Sequence, residues 1–215
     1  MTVTRFARRV NVRLVRTWLE SEGSPGASDT GMEGVMEFSP AEAIAVLTRT
    51  PAALSALLSG LPATWVRSNE GKDTWSAFDI VGHLAFLERT DWMPRLRIVL
   101  ETGEARPFDP IDRFAQLKEN QDQSLEQVLN DFARLRRDNL AALQALNLQR
   151  EDWARRGRHP ALGAVTLAEL VATWAVHDLN HLHQLSRVMA HQYRDAVGPW
   201  KAYLGVLQCA GHSAP

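Results

Sequence analysis

Hydrophobic residues recur at helical spacing in four stretches of the chain, and each stretch follows a helix-start signature. In each signature a serine or threonine precedes an acidic or amide side chain by three residues, a pattern that caps the first turn of a helix. The four signatures are Ser39-Pro40-Ala41-Glu42, Ser76-Ala77-Phe78-Asp79, Ser124-Leu125-Glu126-Gln127 and Thr166-Leu167-Ala168-Glu169. No stretch shows sustained strand alternation. The pattern predicts an all-α domain in which the four amphipathic helices form a four-helix bundle.

Prolines, glycines and short apolar segments predict where the helices are interrupted and how they are connected. Pro51 lies within the first hydrophobic stripe, where a proline is expected to kink or divide the helix. The link 101–123 has room for a short extra helix at 113–119, and 200–208 can form a short terminal helix. The link 153–165 contains two glycines and a proline and is expected to be a turn-rich connection.

The first part of the chain differs in composition from the rest. Residues 1–18 carry five arginines and no acidic residue, and a stretch rich in glycine and serine follows. We interpret residues 1–35 as a flexible basic arm, or as a mis-assigned start with the true initiator at Met32 or Met36. A targeting peptide is the alternative, because such peptides are also rich in arginine and poor in acid. The compact domain is predicted to span residues 36–215.

Composition and charge restrict the classes of partner and compartment. Hydrophobic residues make up 45% of the chain and charged residues 23%, with a formal net charge of −1. This balance gives no sign of nucleic-acid or membrane partners, and no apolar run approaches the roughly 20 residues that cross a bilayer. We therefore expect a cytoplasmic protein. A single cysteine, Cys209, excludes an intramolecular disulfide and a cysteine-based zinc cluster.

Three histidines occupy hydrophobic stripes and are the candidate metal ligands. His177 and His181 lie four residues apart on the fourth predicted helix, so both rings project from one face. His83 lies in the stripe of the second helix. Three imidazoles from two helices would hold a divalent ion, with zinc, nickel and iron all suitable, and leave coordination positions open. The alternatives are a buried polar network and a haem or other large cofactor.

Other ionisable residues near these histidines have simpler interpretations. His183 is turned off the ligand face, and His159 belongs to a loop that can line a pocket mouth. Asp178 is a candidate acceptor that would orient a histidine ring. Glu88 is expected to form a surface ion pair with a neighbouring arginine. The chain contains no Glu-x-x-His pair, which disfavours a dinuclear site.

The segments that carry these histidines resemble those of the DinB-like family. The similar segments are Trp-Ser-Ala-Phe-Asp-Ile-Val-Gly-His-Leu (75–84), Gly-Arg-His-Pro-Ala-Leu-Gly-Ala-Val-Thr (157–166), His-Asp-Leu-Asn-His-Leu-His-Gln-Leu (177–185) and Val-Gly-Pro-Trp-Lys-Ala-Tyr-Leu (197–204). The resemblance covers residues 37–208. It implies a bundle with up-down-down-up connectivity, a divalent metal on His83, His177 and His181, and a homodimer.

The resemblance does not imply one reaction. Proteins of this kind include transferases and isomerases that use mycothiol, bacillithiol or glutathione. The leading hypothesis is a metal-dependent enzyme that acts on a small-molecule substrate, as a low-molecular-weight-thiol transferase or as a hydrolase. The alternative is a non-catalytic, metal-stabilised bundle that serves a stress response or binds a small molecule.

Overall fold

The computed structural model describes residues 37–112 and 114–209 of the 215-residue chain. The helices in these residues are α1 (Pro40–Leu58), α2 (Ala63–Arg67), α3 (Ala77–Thr90), α4 (Trp92–Glu101), α5 (Ala115–Glu119), α6 (Leu125–Ala145) and α7 (Leu167–His191). The strands are β1 (Arg156–His159) and β2 (Gly163–Thr166), which pair antiparallel. The predicted N-terminal arm, residues 1–35, lies outside the described residues, so the domain division stays a prediction.

The four predicted helix starts are confirmed by their capping geometry. At each start the hydroxyl of the N-cap residue accepts a hydrogen bond from the backbone N–H three residues on. In α3, α6 and α7 the side chain at that third position also accepts a hydrogen bond from the backbone N–H of the cap. Each such cap typically stabilises a helix by about 1 kcal/mol. The start of each of these four helices is therefore encoded by its local sequence.

The long helices form the predicted four-helix bundle. Helix α1 packs against α6 and α7, and α3 packs against the same two helices, so α1 and α3 lie on opposite sides of the bundle. Two hydrophobic clusters fill the core. One includes Leu47, Trp92 and Trp174, and the other includes Leu54 and Phe132. Helices α3 and α7, which carry the three candidate ligands, contact each other directly.

Pro51 does not divide the first helix, because α1 runs without interruption from Pro40 to Leu58. A proline lacks the N–H that would bond to the carbonyl four residues earlier, here that of Leu47. That carbonyl instead accepts a hydrogen bond of 2.9 Å from Nη1 of Arg136 on α6. A side chain of another helix thus replaces the missing backbone donor, which explains why the proline is tolerated within the helix.

The link 153–165 contains an antiparallel hairpin rather than only turns, a feature that the hydrophobic pattern did not predict. Each strand has four residues, which is too short for alternation to stand out from a loop. The hairpin packs on the bundle through Gly157, where a Cβ atom would come within 3 Å of Val99 and Phe108 side-chain atoms. The expected extra helix at 113–119 is present as α5, and the terminal segment forms 3-10 turns at Gly198–Tyr203 and Gly205–Leu207.

Helix α1 is long and apolar enough to cross a membrane by length and composition, contrary to the expectation from sequence. One such helix is weak evidence, because core helices of globular bundles satisfy the same criteria. In this fold α1 places Leu47, Leu54 and Leu58 in the two core clusters. Its apolar character is therefore explained at least in part by packing against α6 and α7.

Candidate metal centre

The three candidate ligands converge between α3 and α7. One side-chain nitrogen from each of His83, His177 and His181 lies within 4.8 Å of the other two. The Nε2 atoms of His177 and His181 are 3.0 Å apart. The ring of His83 has its centroid 5.5 Å from that of His177 and 4.8 Å from that of His181. Residues almost a hundred positions apart in sequence thus come together in one cluster.

The geometry of the cluster fits a divalent ion. Two imidazole nitrogens bound to zinc at about 2.1 Å with a tetrahedral angle are about 3.4 Å apart. Those of His177 and His181 lie close to that separation, at 3.0 Å. Nδ1 of His181 lies 2.7 Å from Oε1 of Gln184. An amide oxygen only accepts hydrogen bonds, so Nδ1 carries the proton and Nε2 keeps its lone pair toward His177. Gln184 therefore orients His181 as a ligand, as a hydrogen-bonded neighbour commonly does in metal sites.

Burial favours the neutral form of these rings. His83 and His181 are buried and His177 is half-buried. Removal of the imidazolium from water lowers the pKa of His181 below its usual value, while the hydrogen bond to Gln184 and the charge of Asp178 act in the opposite direction. A metal ion binds only the neutral ring, so the lowered pKa keeps His181 ready to coordinate near neutral pH.

The lowered pKa predicts how the stability of the metal-free protein depends on pH. Unfolded His181 titrates near 6.5 and the folded residue titrates lower, so the unfolded state binds more protons between these two values. Stability should therefore fall as the pH is lowered from 6.5 through that window, by at most about 1.4 kcal/mol per pH unit for one proton. Urea unfolding between pH 7.5 and 5.5 measures this slope, and His181→Gln should make it shallower. An equal slope in the variant would contradict the prediction.

Two tryptophans contact the histidine cluster, and a third packs behind one of them. The ring of Trp75 lies 4.7 Å from that of His83, and Trp92 meets the ring of His177 edge-on at 5.2 Å. Trp92 also stacks on Trp174 at 5.7 Å. All three indoles are buried. They restrict the ring orientations and form an apolar wall, and electrostatic interactions inside such a wall are stronger than in water. The role of Trp92 was not predicted from sequence.

A buried ion network lies next to the cluster, and it corrects two expectations. Glu88 is not on the surface: it is buried and binds Arg136 at 2.8 Å. Asp178, the candidate acceptor for a histidine ring, instead accepts hydrogen bonds from Arg136 at both of its oxygens. Burial lowers the pKa of Arg136, whereas the hydrogen bonds and charges of Asp178 and Glu88 raise it. The net effect is a pKa above the usual value of arginine. The burial of Arg136 could have been predicted from the sequence, because Arg136 lies within the hydrophobic stripe of Phe132 and Leu140 on α6.

The remaining candidates lie away from the cluster. His159 ends β1, and its Nδ1 accepts hydrogen bonds from the backbone N–H groups of Ala161 and Leu162, so it stabilises the hairpin turn. His183 is exposed, and its Nε2 lies 3.4 Å from Sγ of Cys209. Neither histidine belongs to the group that could hold a metal.

The fold and the cluster together define a four-helix bundle protein with a candidate metal centre supplied by two of its helices. The family model described as the DinB superfamily matches residues 46–185, and the chain belongs to that superfamily. No curated protein matches the chain.

A solved structure supports the same fold. It is YfiT from Bacillus subtilis, described as "a probable metal-dependent hydrolase with an unusual four-helix bundle topology". The match has a TM-score of 0.60 and 20% sequence identity, and it covers 82% of this chain and 94% of YfiT. At this identity the likeness establishes the fold.

Proposed function

We propose that this protein is a metal-dependent enzyme in which His83, His177 and His181 hold one divalent ion. The observation that carries the proposal is the convergence of three ring nitrogens within 4.8 Å of one another. Membership of the DinB superfamily and the description of YfiT as a metal-dependent hydrolase support it. Three protein ligands leave coordination positions for water or substrate, which is the pattern of catalytic rather than structural metal sites.

The donor set restricts the ion and its chemistry. All three candidate ligands are imidazoles, which suit zinc, nickel and iron. When bound, such an ion lowers the pKa of a coordinated water or thiol and polarises a substrate carbonyl. The chain itself contributes the orientation of His181 through Gln184, and Trp75 and Trp92 exclude water from one side of the ligand rings.

The substrate in this proposal is a small molecule. Two reactions use the same open metal position: hydrolysis, with water as the nucleophile, and transfer of a low-molecular-weight thiol to an electrophile. Hydrolysis is favoured by the description of YfiT, and thiol transfer by the resemblance to DinB-like transferases. A cytoplasmic homodimer is part of the same proposal.

A reconstitution experiment tests the proposed activity. Protein purified without a histidine tag would be stripped with a chelator and reloaded with zinc, nickel or iron(II). Each form would be assayed for hydrolysis of a panel of esters and amides, and for conjugation of glutathione, mycothiol or bacillithiol to electrophiles. We expect turnover with at least one metal and a loss of at least about a hundredfold in His83→Gln, a change that removes one ligand nitrogen. Equal rates in metal-free and reloaded protein would contradict the proposal, and metal binding without turnover would favour a non-catalytic bundle.

A further inference from the structure

Arg136 connects all four long helices of the bundle. This α6 residue donates from Nη1 to the carbonyl oxygen of Leu47 on α1 at 2.9 Å. Nε and Nη2 donate to Oε1 of Glu88 on α3 at 3.0 and 2.8 Å. Nη1 and Nη2 donate to the two oxygens of Asp178 on α7 at 2.5 and 2.9 Å. These five hydrogen bonds use every N–H group of the guanidinium.

The network carries a net negative charge, because its carboxylates outnumber its cations. Glu88 and Asp178 are two carboxylates, and Arg136 is the only cation among the described residues that pairs with either of them. The remaining hydrogen bonds to Glu88 come from neutral donors, Nε1 of Trp174 at 3.0 Å and Nδ2 of Asn139 at 2.9 Å. One carboxylate would balance the guanidinium. Because an excess charge in a buried site is costly, the second carboxylate needs an explanation beyond packing.

The excess charge lies close to the histidine cluster. Asp178 directly follows His177 in α7, and its charge acts on His181. Glu88 lies on the helix that carries His83, five residues further on. Trp174 links the two groups, since it donates to Glu88 and stacks on Trp92, which contacts His177. The network and the cluster are therefore built on the same two helices.

We propose that the Glu88–Arg136–Asp178 network is the counter-charge of the metal centre. The inference rests on the proposed metal site. Three neutral imidazoles bring no charge to a dication, so an ion held by them alone keeps its full charge at a site that is partly removed from water. A neighbouring net negative charge offsets that cost, and it does so without occupying a coordination position. The network thus sets the affinity for a divalent cation while the ion's open positions stay available.

The test is the zinc affinity of the metal-free protein, measured by competition with a chromophoric chelator. Glu88→Gln removes the excess charge but keeps an oxygen that accepts from Arg136 and Trp174. For one charge about 10 Å from a dication, Coulomb's law gives an effect of about fourfold in a water-like dielectric and more in a drier site. In buffer of low ionic strength, where this interaction is little screened, we therefore expect Glu88→Gln to bind zinc about fourfold more weakly. Asp138→Asn, which removes an exposed charge of α6, is the matched control and should bind like the wild type.

Two further variants separate charge from geometry. Glu88→Asp keeps the charge and should retain most of the wild-type affinity, whereas Asp178→Asn removes the charge from the other helix and should weaken zinc binding as Glu88→Gln does. Equal affinity of Glu88→Gln, Asp178→Asn and wild type would overturn the inference and leave the proposed metal site intact. Loss of affinity in a folded Glu88→Asp that matches the loss in Glu88→Gln would also overturn it. Failure of the wild type to bind zinc, nickel and iron(II) alike would instead overturn the proposed function.

Discussion

Replacing His177 with alanine should abolish the rise in melting temperature that zinc gives to the metal-free protein. A ligand that binds only the folded state stabilises it by about 4 kcal/mol when present at a thousand times its dissociation constant. For a chain of this size that corresponds to a rise of about 10 °C. Without His177 only the imidazoles of His83 and His181 remain, and two ligands hold an ion more weakly than three.

The matched control is His183→Ala, which removes an exposed histidine from the same helix. Differential scanning fluorimetry of the stripped proteins, with and without zinc, compares the two variants with the wild type. His183→Ala should keep the full zinc-dependent rise. A rise in His177→Ala as large as in the wild type would show that the cluster is not the metal site, and an equal loss in His183→Ala would point to binding elsewhere on α7.

Replacing Arg136 with methionine should destabilise the protein by about 3–5 kcal/mol, the usual cost of breaking a buried ion pair from one side. The change leaves Glu88 and Asp178 buried without their cation. It also removes the donor that occupies the Leu47 carbonyl beside Pro51. Equilibrium unfolding in urea measures the difference in free energy.

Two comparisons identify the cause of the Arg136→Met effect. Arg137→Met removes the next side chain of α6, which is 72% exposed, and should change stability by less than about 0.5 kcal/mol. Adding Glu88→Gln and Asp178→Asn to Arg136→Met should recover a large part of the loss, because the unbalanced carboxylates are gone. A loss below about 1 kcal/mol in Arg136→Met would contradict the structural role of the network.

Features that depend on near neighbours in the chain were predictable from sequence. The N-caps Ser39, Ser76, Ser124 and Thr166 bond to backbone groups three residues away, so their patterns identify helix starts without tertiary information. The pairing of His177 and His181 follows in the same way from the geometry of one helix. His83 could be predicted as the third member of the cluster because it lies in an apolar stripe, and such a stripe marks the side of a helix that faces inward.

Features that depend on distant partners were not predictable in this way. Glu88 was expected on the surface, since its sequence neighbours include an arginine, but its actual partner lies 48 residues away. The continuity of α1 through Pro51 depends on a donor from α6, and the hairpin depends on Val99 and Phe108 to receive Gly157. Local hydrogen bonds and helical period thus determined the four helices and the inward histidines from sequence alone. Only the packed bundle decided which charges are buried together, because such pairing depends on distances between helices that no local pattern encodes.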